Sequence, residues 1–191
     1  MTGINPEFLL HAYQMGIFPM AMEDGEIGWF SPDPRGIIPL DCFHVSRSLE
    51  RVIRSGRFEV RINHAFGEIL DGCADREETW IDETVRESYM QLHARGNAHS
   101  VECWSHGELA GGLYGVAIGG AFFGESMFSR QTDASKVALA YLSNYLLQRG
   151  FSLLDTQWTT PHLRRFGAID IPKAQYMEAL RRAIDSDVSF V

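Results

Sequence analysis

At 191 residues the chain is long enough for one large domain or a main domain with a small appendage. A hydrophobic share of 45% and an aromatic share of 12% exclude a disordered chain, and no apolar run approaches the ~18 residues of a membrane-spanning helix. A net charge of -8 argues against non-specific coating of nucleic acid and favours a small cationic partner, while leaving room for a local basic patch.

The opening MTGINPEFLLHAYQMG has neither a basic segment before its apolar residues nor a small-residue cleavage site, so no signal peptide is expected and the cytoplasm is the expected location. Cys42, Cys73 and Cys103 are odd in number and widely spaced, which points to reduced, buried thiols. The seven histidines show no ligand spacing, and no metal is expected.

Asn5 and Pro6 read as the cap and first position of a helix that ends near Gly16, with Leu9, Leu10 and Tyr13 as its buried stripe. The proline-rich WFSPDPRGIIPL reads as a largely irregular connector around a possible strand pair. Ser46 caps a helix on which Arg47, Arg51 and Arg54 share one face. Without other context such a face reads as merely solvated.

Phe58 to Ile62 alternates as a half-buried strand, and Asn63 reads as the cap of a helix through Ala74; a main domain is expected from residue 57, after a small N-terminal domain over 1–56. Asp82 caps a helix stopped by Gly96. His99 to Trp104 is a strand, followed by the pair that dominates the sequence, ELAGGLYGVAIGGAFFGESMFSR, two strands folded on a Gly119-Gly120 turn. Asp133 or Thr132 caps a long helix to Arg149, and the apolar run from Phe151 then ends in Asp155 and Gln157. HLRRFG makes a short helix or turn, Ala168 to Ile171 a last strand and Lys173 to Ile184 a terminal helix. Antiparallel strands running into βαβ units predict an α+β fold with a mixed sheet.

Two carboxylates stand out in this frame. Glu125 is nearly alone as an ionisable group in its strand, and is either a core carboxylate satisfied by backbone donors or a functional one. GESMF resembles a nucleophile elbow but lacks its second glycine and the strand-to-helix turn. Asp155 ends an apolar strand, where open sheets place active groups, unless it only caps the following turn. Its spacing of two from Gln157 predicts that both side chains share one strand face. Tyr13, Trp29, Trp80, Tyr89, Trp104 and Trp158 are more aromatic surface than the core requires, and several flanking a cleft would suit an adenine ring or an aromatic side chain.

The runs LLHAYQMGIFPM, WFSPDPRG, HVSRSL, TWI, AHSVECW, GGLYGVAIGGAFFGESMFSR, ASK, LLDTQ and HLRRFGA, in this order, resemble the leucyl/phenylalanyl-tRNA-protein transferases over nearly the whole chain. The resemblance implies a GNAT-like (acetyltransferase-type) mixed sheet with flanking helices behind a small, abbreviated N-terminal domain. It also implies transfer of leucine or phenylalanine, and less well methionine, from aminoacyl-tRNA to the α-amino group of proteins with N-terminal Arg or Lys, marking them for N-end-rule degradation without a cofactor. It assigns catalysis to Asp155 and Gln157, and puts Glu125 beside the aminoacyl group. Leu113 and Phe122 fall in the pocket for the transferred side chain, Tyr13, Trp80 and Tyr89 around the terminal adenosine, and Arg47, Arg51 and Arg54 on the tRNA-binding helix. Met20 stands where the family often has tryptophan.

The chemistry is undemanding, because the donor is an activated ester and the acceptor amine has a reference pKa of ~7.7 to 8.0. Proximity and a proton route are what the protein must supply. On the sequence, Asp155 is the expected proton acceptor and Gln157 the positioning group. An acyl-CoA-dependent N-acetyltransferase on the same fold is the alternative, weakened because SRQTDASK contains no glycine for a pyrophosphate loop.

Overall fold

The computed structural model describes residues 3–77 and 79–191. Helix α1 (Pro6–Gln14) starts where Asn5 accepts hydrogen bonds from the Glu7 and Phe8 N–H groups, as the Asn-Pro pair predicts. A small hairpin of β1 (Phe18–Ala21) and β2 (Ile27–Phe30) follows. The connector expected to be irregular contains β3 (Arg35–Ile38), which joins the main sheet. Ser46 caps α2 (Arg47–Arg54), and β4 (Glu59–Ile62) leads to α3 (Phe66–Ala74).

Asn63 does not cap α3. It sits at φ 56, its side-chain oxygen accepts the Ser100 N–H, and its amide nitrogen contacts His99, so it ties the strand end to a neighbouring strand. The first turn of α3 is anchored instead by the buried Glu102, which accepts from Ala65 N–H, the Ser100 hydroxyl and the Trp104 indole. A buried carboxylate of this kind persists only with several donors around it.

After α4 (Glu83–Ala94), capped by Asp82, come β5 (Ala98–Ser105), β6 (Glu108–Ile118) and β7 (Ala121–Ser129). Helix α5 (Ala134–Gln148) crosses to β8 (Leu153–Gln157), then α6 (Pro161–Arg164), β9 (Ile169–Ile171) and α7 (Lys173–Ile184) complete the chain. Among the described residues the main sheet has the order β4-β5-β6-β7-β8-β3-β9, with β7 and β8 the parallel pair and the other neighbours antiparallel. It is a mixed sheet with flanking helices, the α+β arrangement expected.

Strand alternation divides the core in two. Tyr114, Val116 and Phe123 face α3, α4 and α7, whereas Leu113, Ala117 and Phe122 face α5. Cys73 and Cys103 are buried, and Cys42, expected to be buried, is exposed. No helix among the described residues is long and apolar enough to cross a membrane.

Three irregularities coincide at one place. The ladder of β6 with β7 runs Tyr114↔Ser126 and then Gly115↔Gly124, so Glu125 is an extra, bulged residue. The ladder of β3 with β8 runs Ile37↔Asp155 and then Gly36↔Gln157, which leaves Thr156 bulged. Pairing of β7 with β8 ends at Phe123↔Asp155, although β7 continues to Ser129. The central parallel strands therefore part at the level of the two bulges, and bulges re-aim side chains at such places.

Gly115 permits this arrangement, because a Cβ there would meet the Phe123 carbonyl oxygen at 2.2 Å and the Phe122 ring at 2.4 Å. The first contact is backbone and cannot step aside. Gly115→Ala is expected to cost about 1–3 kcal/mol of stability by overpacking, read as a lower denaturation midpoint; an unchanged midpoint would show that the bulge tolerates a side chain.

Candidate active site

Asp155 is wholly buried and pairs with Arg35, which is 1% exposed. Arg35 Nε donates to Oδ1 at 3.0 Å and Nη2 to Oδ2 at 2.7 Å, a bidentate fork, while Nη1 donates to the Gly16 carbonyl at 2.8 Å. Tyr176 Oη donates to Oδ2 at 2.6 Å, and the Gln157 N–H donates to Oδ1 at 2.8 Å. Burial, and then the Asp155 charge, push the Tyr176 hydroxyl well above its ordinary value, so it remains a donor. The guanidinium also lies 4.5 Å from the Tyr176 ring centre and 5.1 Å from that of Phe18.

Four donors occupy the oxygens of Asp155. The carboxylate expected from the sequence to accept the proton has no free oxygen direction and no solvent path. Its geometry fits an organising role: it bonds the backbone of Gln157, which takes φ 59. The expectation that Asp155 and Gln157 share a strand face by alternation is corrected by the Thr156 bulge and this turn, which set their relation instead.

Gln157 Nε2 donates to Glu125 Oε1 at 3.2 Å, and Tyr89 Oη donates to Glu125 Oε2 at 3.0 Å. With Tyr89 committed to Glu125, Tyr13 donates to Tyr89 across 2.6 Å. Burial pushes the Glu125 carboxyl up to about 7, against the opposing effect of the Tyr13 and Tyr89 hydroxyls. Tyr13 and Tyr89 are fully buried, so they support Glu125 from behind and present no face to an adenosine, a correction to the place the resemblance gives them.

Two hollows meet at Glu125. An apolar slot of ≈ 110 Å³ is walled by Leu113, Met127, Leu139, Leu142 and Leu154, and its polar end carries Glu125, Thr156 and Gln157. Beside it a cleft of ≈ 280 Å³ is lined by Phe18, Met20, Trp80 and Trp158 and shares Glu125, Thr156 and Gln157 with the slot. Tyr114 Oη and Thr156 Oγ1 border the slot, buried and without a hydrogen-bond partner among the described residues. Buried polar atoms are seldom left so, and two together at a hollow fit a polar ligand.

Leu113 lines the slot. Phe122 does not: it lies under the sheet, wholly buried, with its ring 5.3 Å from that of Phe190. Trp80 borders the cleft. Arg47, Arg51 and Arg54 are exposed on α2, where Arg51 Nε reaches the Arg47 carbonyl and Arg54 pairs with Glu50. Sequence reasoning missed Arg35 and Tyr176. The one available signal was an arginine opening the otherwise apolar strand RGII; Tyr176 gave none.

The family models that match the chain describe an aminoacyltransferase. Residues 37–181 match the model "Leucyl/phenylalanyl-tRNA protein transferase", and residues 3–33 match the N-terminal domain model of the same name. A curated protein of Ruegeria pomeroyi called leucyl/phenylalanyl-tRNA--protein transferase is 54% identical over 190 residues, covering 98% of this chain and 90% of its own. The chain belongs to the leucyl/phenylalanyl-tRNA protein transferase family. Among solved structures, that of L-PGS from Bacillus licheniformis is 13% identical with a TM-score of 0.45; the match covers 83% of this chain, which spans 55% of that one.

The raised Glu125 carboxyl has a consequence for stability. A carboxyl whose folded value lies above its ordinary 4.5 keeps its proton longer when folded, so its contribution is full below about 4.5 and is lost as pH rises through about 7. The stability of the wild type relative to Glu125→Gln is expected to fall across that window in urea titrations at successive pH values. A constant difference from pH 4 to 8 would contradict the assignment.

Proposed function

We propose that the protein transfers leucine or phenylalanine, and less well methionine, from aminoacyl-tRNA to the α-amino group of proteins with N-terminal Arg or Lys, marking them for N-end-rule degradation in the cytoplasm. The observation that carries this reading is the apolar slot closed at one end by Glu125 and Gln157 and joined there to an aromatic cleft. Leucyl, phenylalanyl and methionyl side chains are unbranched at Cβ and apolar, as a slot walled by Leu113, Leu139 and Leu142 requires. The adjoining Trp80 and Trp158 suit an adenine, since stacking of a base on an aromatic ring contributes ~1–3 kcal/mol. Met20 occupies this cleft as a softer, polarisable contact.

With the donor ester at the junction, the acceptor nitrogen attacks the carbonyl carbon, the carbon–oxygen bond to the ribose breaks, and the ribose oxygen takes up a proton. The proton shed by the nitrogen goes to Glu125, whose value near 7 lies close to that of the amine, as effective proton transfer asks. Gln157, with its amide nitrogen committed to Glu125, offers its amide oxygen to orient the attacking amine. Asp155 acts through Gln157 as a positioning residue. Arg47, Arg51 and Arg54 serve as an exposed contact for tRNA phosphates.

The parting of β7 and β8 supports a GNAT-like reading of the sheet. Residues 1–56 are then a small N-terminal domain that lends β3 to the sheet of the catalytic domain over 57–191.

The test is transfer of labelled residues to a protein beginning with Arg, using one tRNA charged in turn with leucine, isoleucine and valine. A methyl or methylene misplaced in an apolar pocket costs ~1–3 kcal/mol, so leucine is expected to lead by about ten- to a hundred-fold in kcat/KM. Equal transfer of all three would sink the slot as selector, and no transfer at all would sink the function.

A further inference from the structure

A third hollow lies on the far side of α6. It measures ≈ 140 Å³, and Lys136 of α5 with His162 and Arg165 around the end of α6 converge on it, together with the hydroxyl-bearing Ser46 and Ser48 at the start of α2. Its floor is Leu49 and Phe166. The opposing charge in its lining is Asp133, whose Oδ1 holds Lys136 Nζ at 2.6 Å and so fixes the direction of that cation. Asp133 is itself at φ 74, a strained conformation for a residue other than glycine. Two permanent cations and an imidazole therefore face one carboxylate in a concave site. Burial lowers the His162 value, and Lys136 and Arg165 lower it further, the behaviour of a ring on which both cations bear.

Position gives the hollow its meaning. Leu163, between His162 and Arg165 in sequence, lines both the apolar slot and the aromatic cleft, so α6 has the aminoacyl site on one side and this hollow on the other. A helix is ~10–12 Å across, a distance that a few nucleotides of single strand cover. The α2 that supplies Ser46 and Ser48 continues into the arginine face.

We propose that this hollow seats a backbone phosphate of the 3′-terminal strand of the donor RNA, a few nucleotides from the aminoacylated end. The inference rests on aminoacyl-tRNA being the donor. Lys136 and Arg165 supply the charge, and the His162 ring and a serine hydroxyl supply neutral donors. Contacts of this kind position the strand without reading bases. The arginine face of α2, the hollow and the aromatic cleft then form one continuous track to the slot.

The experiment compares two donors, intact aminoacyl-tRNA and aminoacyl-adenosine, which has no phosphodiester, in wild type, Lys136→Gln/Arg165→Gln and the charge-keeping Arg165→Lys. In the double variant the ratio of KM for tRNA to KM for aminoacyl-adenosine is expected to rise on the order of ten-fold or more, as for lost hydrogen bonds to a charged group. The slope of log K against log salt should fall by about one for the phosphate released. Arg165→Lys is expected to restore part of both, and Arg181→Gln, a charge removed from the exposed face of α7, to alter neither. An unchanged ratio and slope in the double variant would overturn the proposal, as would equal weakening of both donors, which reports a structural effect. Inorganic phosphate is expected to compete with tRNA and not with aminoacyl-adenosine. Competition by phosphate that the double variant abolishes while its tRNA KM stays at the wild-type value would assign the hollow to a free anion, again overturning it. Failure of the wild type to use either donor would instead count against the reading on which the inference rests.

Discussion

The buried pair of Asp155 and Arg35 is the constraint on which the rest of the site depends. Taking both charges out of water is costly, and the cost is offset only because every oxygen of the carboxylate and the guanidinium fork are matched by partners. Those partners come from the α1–β1 junction, β3, β8 and α7, parts of the chain remote in sequence. Loss of either member would strand the other, so this pair fixes where β8 ends and how Gln157 turns toward Glu125. It also explains a division of labour between two carboxylates: Asp155 is saturated by fixed donors and organises, whereas Glu125 keeps its position between two hollows with a value close to neutrality.

The second requirement is backbone irregularity at the point of use. A regular ladder would keep β7 and β8 paired and aim Glu125 and Gln157 by strict alternation. The bulges at Glu125 and Thr156 and the left-handed Gln157 break that alternation where the parallel pairing stops, and the slot and cleft open in the gap. Gly115 and the positive φ of Gly119 at the β6–β7 turn show how little freedom the surrounding strands have.

Much of the fold was legible because local signals there agree with the tertiary outcome. Asn5, Ser46 and Asp82 cap helices as their side chains dictate, and Lys173–Ile184 forms the terminal helix expected. Asn63 misled because the same short amide that caps helices also tolerates a left-handed backbone and can bridge strands. Strand β3 was obscured by its prolines and by pairing with β8 and β9, more than a hundred residues away, which no local pattern encodes. In the site, Glu125, Asp155 and Gln157 announce themselves as polar groups in apolar strands. Arg35 and Tyr176 do not, since their meaning lies in a long-range hydrogen bond. The resemblance put Phe122 in the pocket with Leu113; the two are in the same core cluster, yet Phe122 belongs to the layer packed against Phe190.

The central claim is that Glu125, and not the more deeply buried Asp155, takes the proton from the attacking amine. Single-turnover transfer measured from pH 5.5 to 9 in the wild type and in Glu125→Gln tests it most directly. The account predicts two ascending limbs in the wild type, one near 7 and one at the ~7.7–8.0 of the amine, with only the latter surviving in the variant at a lower plateau. A Glu125→Gln profile identical to wild type in shape and height would contradict it.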